Sequence, residues 1–280
     1  MDLEILEDTP PWDWPADTDQ TLLRILGDKQ QDESDRLLAA KLAGDYTVIN
    51  DGLADRLLSM VLSNEEPERV RARAAISLGP ALAAAHMDMF EDPEEVSISE
   101  HLFHKIQASL RKGYMDAHTP KEVRRRILEG SVRAPEDWHQ AAIREAYLSD
   151  DPDWRLTAVF GMQYVGGFNA EILEALNSQN EDIQYHAVRA SGNWEVAEAW
   201  PHIQRLLTSE LTKKELRLAA IEAAAGICPQ EIEAVFFDLT LSDDQDIVDA
   251  AHEAMAMRGC FPDDDFEDDY EEEEDDRILH

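Results

Sequence analysis

Apolar residues recur along this chain at spacings of three and four rather than two. Leu22, Leu23 and Leu26 form one such set, and Leu53, Leu57, Leu58, Val61 and Leu62 another. The series continues with Leu102, Phe103, Ile106 and Leu110, then Ile143, Tyr147 and Leu148, then Ile172, Leu173 and Leu176. Ile203, Leu206 and Leu207, and finally Val235, Phe236 and Leu239, complete it. Such spacing gathers side chains on one face of a helix. No stretch carries the alternating pattern of a strand. Turn and cap residues follow the sets: Asn64 before Pro67, Thr119-Pro120, Asp150-Asp151-Pro152, Asn180, Thr212 and Asp243-Asp244. Their side-chain oxygens suit the free amide groups of a helix start, and proline suits its first turn. Each unit therefore predicts helix, short turn, helix.

The second helix of each unit has its own signature: a branched or aromatic anchor, often arginine next, small residues four and five later, and often a glycine near nine or ten. The copies are VRARAAISLG from Val70, VRRRILEG from Val123, WRLTAVFGM from Trp154, IQYHAVRASG from Ile183, LRLAAIEAAAG from Leu216 and IVDAAHEAMA from Ile247. Their anchors lie 53, 31, 29, 33 and 31 residues apart, and a weaker copy, DRLLAAKLAG from Asp35, precedes Val70 by 35. A period near 30 predicts stacked repeats, because one unit cannot bury its apolar face alone. The alanines let neighbouring helices approach to about 8–10 Å.

This pattern resembles the HEAT-repeat, armadillo-like family over about residues 18–258. The resemblance rests on Pro67, Pro120 and Pro152 at the turns and on Arg71, Arg124, Arg155 and Arg217 after the anchors. It implies an all-α fold, a right-handed α-α superhelix of about seven helix pairs with the second helices lining the concave side. It also implies that the arginines join a polar ladder between repeats, which Gln184 and Val248 interrupt. The expected organisation is a Pro/Trp-containing cap over 1–17, a repeat domain over 18–259 and an acidic tail over 260–280. Trp12 and Trp14 are expected to cover the first repeat. The long gap between the second and third anchors predicts an acidic insertion loop at about 87–98, after which Ser99 caps the next helix.

Charge narrows the partners. Lys and Arg number 25 against 61 Asp and Glu, a formal net charge of −36. Such an excess repels phosphate backbones and anionic lipid, so neither nucleic acid nor membrane is an expected partner. No apolar run reaches the roughly 18 residues of a membrane span, and no basic region precedes an apolar segment at the N-terminus. A cytoplasmic location is expected. Two cysteines, Cys228 and Cys260, are too few for a disulfide framework.

Candidate chemistry is sparse. His101 and His104 lie three apart and could share a zinc ion, but the spacing supplies no third or fourth ligand. His252-Glu253 resembles one of the His-Glu pairs that hold iron in helical-repeat hydroxylases of the deoxyhypusine type; Ile221-Glu222, Leu128-Glu129 and Val188-Arg189 stand at the equivalent places, so no symmetrical di-metal site follows. No catalytic residue, cofactor or metal is expected, and the chain reads as a non-enzymatic scaffold that binds another protein. The alternative is an enzyme or enzyme subunit of the HEAT-like lyase type with a substrate groove. The candidate partner-binding residues are Tyr185, His186, Arg189 and Trp194, because Tyr, Trp and Arg dominate interface hot spots; a core role for Tyr185 and a packing role for Trp194 are the competing readings. In the tail, twelve carboxylates over 263–276 predict disorder. Its Phe266 and Tyr270 could anchor it to a partner with a basic surface.

Overall fold

Helix pairs form at all seven places where the two apolar patterns alternate. The computed structural model describes residues 3–90, 97–227 and 232–258. After a short leading helix α1 (Leu3–Asp8), the pairs are α2 (Thr18–Gly27) with α3 (Glu33–Leu42), and α4 (Asp51–Leu62) with α5 (Glu68–Ser77). An additional helix, α6 (Gly79–Asp88), follows the second pair. Then come α7 (Glu100–Met115) with α8 (Lys121–Ser131), α9 (Asp137–Tyr147) with α10 (Pro152–Gly161), and α11 (Asn169–Ala175) with α12 (Glu181–Asn193). The last two pairs are α13 (Trp200–Thr208) with α14 (Lys214–Ile227), and α15 (Ile232–Thr240) with α16 (Gln245–Arg258). No strand occurs among the described residues. The chain is an α-solenoid: helices pack substantially only within a repeat or between adjacent repeats.

One local device recurs in every pair. The first residue of the turn is Ser or Asp, and its side-chain oxygen accepts the amide hydrogen two residues on. The pairs are Asp28 with Gln30, Ser63 with Glu65, Asp116 with His118, Ser149 with Asp151, Ser178 with Asn180, Ser209 with Leu211 and Ser242 with Asp244. This bond ends the first helix by offering the backbone a turn in place of another helical step. Asn180 and Asp151 then cap the second helices, and Ser99 caps α7 as its position predicts.

The arginines after the anchors do not form a continuous ladder between repeats. Arg71 donates from Nε to the Val61 carbonyl at 3.0 Å, and Arg217 donates to the Ser209 carbonyl. Both carbonyls end the first helix of the same repeat, where the orphaned backbone oxygens and the dipole favour a cation. Gln184 takes the same position, donating to the Leu176 carbonyl at 3.1 Å, so its replacement of arginine breaks nothing. Arg124 and Arg155 lie over Tyr114 and Tyr147, aromatic residues in the last turn of their own first helices, and each also reaches the next repeat, Arg124 over the Trp154 ring and Arg155 to the Glu174 carboxylate. Further contacts between repeats join Lys121 with Asp151, Lys213 with Glu181, Lys214 with Asp244, and the buried Arg36–Glu66 pair at 2.6 Å.

Small residues decide the curvature. The second helices pack in an unbroken series from α3 through α5, α8, α10, α12 and α14 to α16, whereas among first helices only α2–α4 and α4–α7 pack comparably. A Cβ built on Gly192 would stand 2.5 Å from the Ala223 Cα. Backbones here touch almost directly, so the second-helix layer is the tighter one and lines the inner, concave side.

The expected insertion loop at 87–98 follows directly on a helix. Residues 79–88 form α6, begun at Pro80, and Met89 and Phe90 then adopt left-handed backbone conformations. Phe90 packs edge-on against Phe103 with ring centroids 5.4 Å apart, and Ile98 is buried; residues 91–96 lie outside the described residues. The N-terminal cap is made by Leu3 and Leu6 of α1, which packs on α3, and by Trp14, whose Nε1 donates to the Leu6 and Thr9 carbonyls at 2.9 Å. Trp12, expected to share that role, is 78% exposed. Phe266, Tyr270, the acidic tail and both cysteines lie outside the described residues.

Candidate functional site

The helical period fixes which side chains of each second helix face inward. On α5 and α8 the positions one before, three after and six after the anchor are Arg69, Arg73 and Ile76, then Glu122, Arg126 and Glu129; all but the buried Glu129 line one inner-face cavity of about 610 Å³. Carried along the solenoid, the same positions are Asp153, Thr157 and Phe160 on α10, and Asp182, His186 and Arg189 on α12. On α14 they are Glu215, Ala219 and Glu222, and on α16 Asp246, Ala250 and Glu253. The inner face is thus cationic at α5, aromatic in its middle and anionic at α14 and α16.

The middle of that face is a connected row of rings and guanidinium groups. Arg133, just past α8, lies 5.6 Å from the ring centroids of both Phe160 and Tyr164. Phe160 meets His186 edge-on at 5.2 Å, and His186 meets Tyr185 edge-on at 5.4 Å. Arg189 donates from Nη1 to the Tyr185 hydroxyl at 3.3 Å, and its Nη2 is 3.7 Å from Glu222 of the next repeat. The row spans three successive second-helix segments, reaching Glu222 on a fourth, and its members are partly buried.

His186 is held neutral. Gln163 donates from Nε2 to its Nδ1 at 3.1 Å, leaving the ring proton on Nε2. Burial, with a smaller contribution from the Arg189 charge, pushes the imidazole down to about 4. At neutral pH it is therefore a flat, uncharged donor rather than a cation. Arg189 remains charged, favoured by the Tyr185 hydroxyl and Glu222.

The structure brings three of the predicted residues together, Tyr185, His186 and Arg189, and separates the fourth. Trp194 lies at the far end of α12, 40% exposed. Its Nε1 donates to the Met162 carbonyl at 2.6 Å and its ring covers Gly166, while neighbouring Asn193 donates to the Gln163 carbonyl. These contacts pin one repeat to the next. Sequence reasoning missed Arg133, Phe160 and Tyr164. Reading the same offset from each anchor down successive repeats would have found Phe160 beside Arg189; Arg133 and Tyr164 lie past their helix ends, where that offset fails.

The other candidates are solitary. His101 is exposed, and His104 turns to Gln107 and Glu100 of its own helix. His252 and Glu253 are exposed on α16. Among the described residues no group of three or more His, Cys, Asp and Glu side chains is placed to hold a metal ion, and no helix among them is long and apolar enough to cross a membrane.

No protein-family model matches the chain, and no curated protein matches it. The fold is similar to several solved structures. An engineered protein aligns at 16% identity over 72% of this chain and 95% of that one, with a TM-score of 0.45. YibA of Escherichia coli aligns at 18% identity over 86% of this chain and 82% of its own, with a TM-score of 0.45. Human deoxyhypusine hydroxylase, solved with glycerol, aligns at 15% identity over 87% and 98%, with a TM-score of 0.38. The stacked helix pairs resemble HEAT and armadillo solenoids in architecture.

Proposed function

We propose that this protein is a non-enzymatic interaction scaffold whose concave face binds another protein. The observation that carries this reading is the row Arg133, Phe160, Tyr164, His186, Tyr185 and Arg189, presented on consecutive inner helices. Tyrosine and arginine bring large contact area and several donors at little conformational cost, and a row already held by its neighbours loses little further freedom on binding. A neutral His186 removes the desolvation cost that a charged ring would add.

The test compares the intact chain with a Tyr185→Ala, Arg189→Ala variant as immobilised bait, with captured proteins quantified. Both side chains are partly exposed, so the variant should keep the helical circular dichroism of the parent. The expected result is one or a few proteins captured by the parent and reduced at least about tenfold by the variant, as loss of one hot spot of about 1.4 kcal/mol or more implies. Identical capture by both would reject the inner row as the binding surface.

A further inference from the structure

In a chain of net charge −36, the concave surface of the first three repeats runs against the whole. A cavity of about 610 Å³ there is lined by α1, α3, α5 and α8 and presents four cations, Lys41, Arg69, Arg73 and Arg126. The two carboxylates in its wall are already engaged: Glu7 with Lys41 at 2.5 Å, and Glu122 with Arg125 and Arg126 at 2.8 Å. Arg69 and Arg73 are different. They lie four residues apart on one face of α5, both exposed, and neither has a carboxylate within 4 Å among the described residues. Arg69 and Arg73 thus place two neighbouring guanidinium groups without a carboxylate partner in the wall of one groove.

A second cavity of about 490 Å³ continues the first, sharing Glu7, Lys41, Arg73 and Ile76 with it. Its far wall changes character, to Pro11, Trp14, Tyr46 and Pro80, with one carboxylate, Asp45, already accepting from the Thr47 amide and hydroxyl. The groove therefore offers guanidinium donors for carboxylates at one end and an aromatic and proline surface at the other.

We propose that this groove docks an acidic linear peptide segment of a partner protein, one that carries an aromatic side chain beside its carboxylates. Charge complementarity selects the class. Two unpaired arginines bind carboxylates through paired N–H donors, and the apolar end takes the ring. A nucleic acid duplex fits less well, because phosphates extending beyond the groove would meet the acidic exterior of the solenoid. The inner face also becomes anionic toward α14 and α16, which aligns the acidic part of the segment with the first three repeats and excludes it from the last two. The inference deepens the scaffold reading and rests on it, adding the chemistry of the ligand and a second contact region.

The experiment uses the full chain and a fluorescein-labelled oligoglutamate peptide with one central tryptophan, read by fluorescence anisotropy. Binding is expected at low salt, weakened about tenfold or more between about 50 and 300 mM salt as screening shortens. An Arg69→Glu, Arg73→Glu variant should weaken it at least about thirtyfold. Both residues are exposed, so unchanged circular dichroism and thermal midpoint are expected. Arg69→Gln, Arg73→Gln serves as the milder variant should the reversal disturb folding, with a loss of at least about tenfold. Replacing the peptide's glutamates by glutamines should abolish binding, and replacing its tryptophan by alanine should weaken it.

Three outcomes overturn the proposal. No binding by the parent or by a variant with amides in place of the carboxylates of residues 263–276, or binding that both arginine variants leave intact, rejects the groove. Equal binding of a DNA duplex of matched charge rejects a peptide ligand in favour of polyanions in general. Binding that emerges only when the carboxylates of residues 263–276 are replaced by amides assigns the groove to this chain's own acidic segment. If peptide binding fails while capture dependent on Tyr185 and Arg189 persists, the scaffold stands and only this inference falls.

Discussion

At the scale of single residues, a buried and a partly buried imidazole set a pH dependence. His139 is fully buried; its Nε2 lies 2.9 Å from the Ser131 hydroxyl, and its Nδ1 accepts the Glu136 amide hydrogen at 2.8 Å. Burial pushes it down to about 4, as it does His186. The unfolded chain titrates near 6.5, so as pH falls from 6.5 toward 4 the unfolded state takes up a proton that the folded state refuses. Stability is therefore full above 6.5 and is lost on acidification through that window. For a fully buried ring the loss approaches about 3 kcal/mol. NMR titration should show both imidazoles neutral down to about pH 4, and His139→Gln should remove part of the acid sensitivity between 6.5 and 4 in denaturant melts. A His139 that titrates near 6.5 would contradict the buried placement.

At the scale of elements, the alanine- and glycine-rich second helices are explained by contact between backbones. Gly192 faces Ala223 so closely that a single added methyl has no space, and the obstacle is backbone rather than a movable side chain. Gly192→Ala should therefore destabilise the protein by about 1–3 kcal/mol despite alanine's better helix propensity. Gly27→Ala is the control: nothing lies within 4 Å of the added atom, and a neutral or slightly stabilising effect is expected. Chemical denaturation of the two variants distinguishes tight packing from a glycine kept only for local flexibility. The same element scale explains why Gln184 substitutes for arginine without penalty. The first-helix carbonyl asks for a donor of the right reach, and an amide supplies one.

At the scale of the whole molecule, contacts restricted to neighbouring repeats make an elongated body. A globule of this length would have a radius of gyration near 19 Å by the usual scaling, and a solenoid should exceed it. Solution scattering on a chain ending at Gly259, so that the acidic segment adds nothing, should return a value clearly above that figure; the globular value would reject the stacked arrangement. The charge distribution also belongs to this scale. Net charge alone argues against polyanionic partners, yet the inner face is not uniformly acidic: Arg69 and Arg73 stand at one end, Glu222 and Glu253 at the other. A composition averages over surfaces that a partner meets one at a time.

The repeat count and the helix pairs were present in the sequence, because helical periodicity and short turn signals are local and recur in phase; that the second helices line the inner side was implied only by the resemblance to HEAT repeats. Ser99 as a cap and the anchors Val70, Val123 and Ile183 as core followed from spacing alone. Other features depended on what each side chain meets across the fold. Arg71 and Arg217 turned to carbonyls of their own repeats rather than to neighbouring repeats, a choice set by where the first helix ends in space. The continuation of the Tyr185–His186–Arg189 group into Phe160, Tyr164 and Arg133 joins residues more than twenty positions apart, and the stacking angle that brings them together is a property of the packed backbones. Trp194 left the group because a carbonyl one repeat earlier, that of Met162, lay within reach of its indole nitrogen.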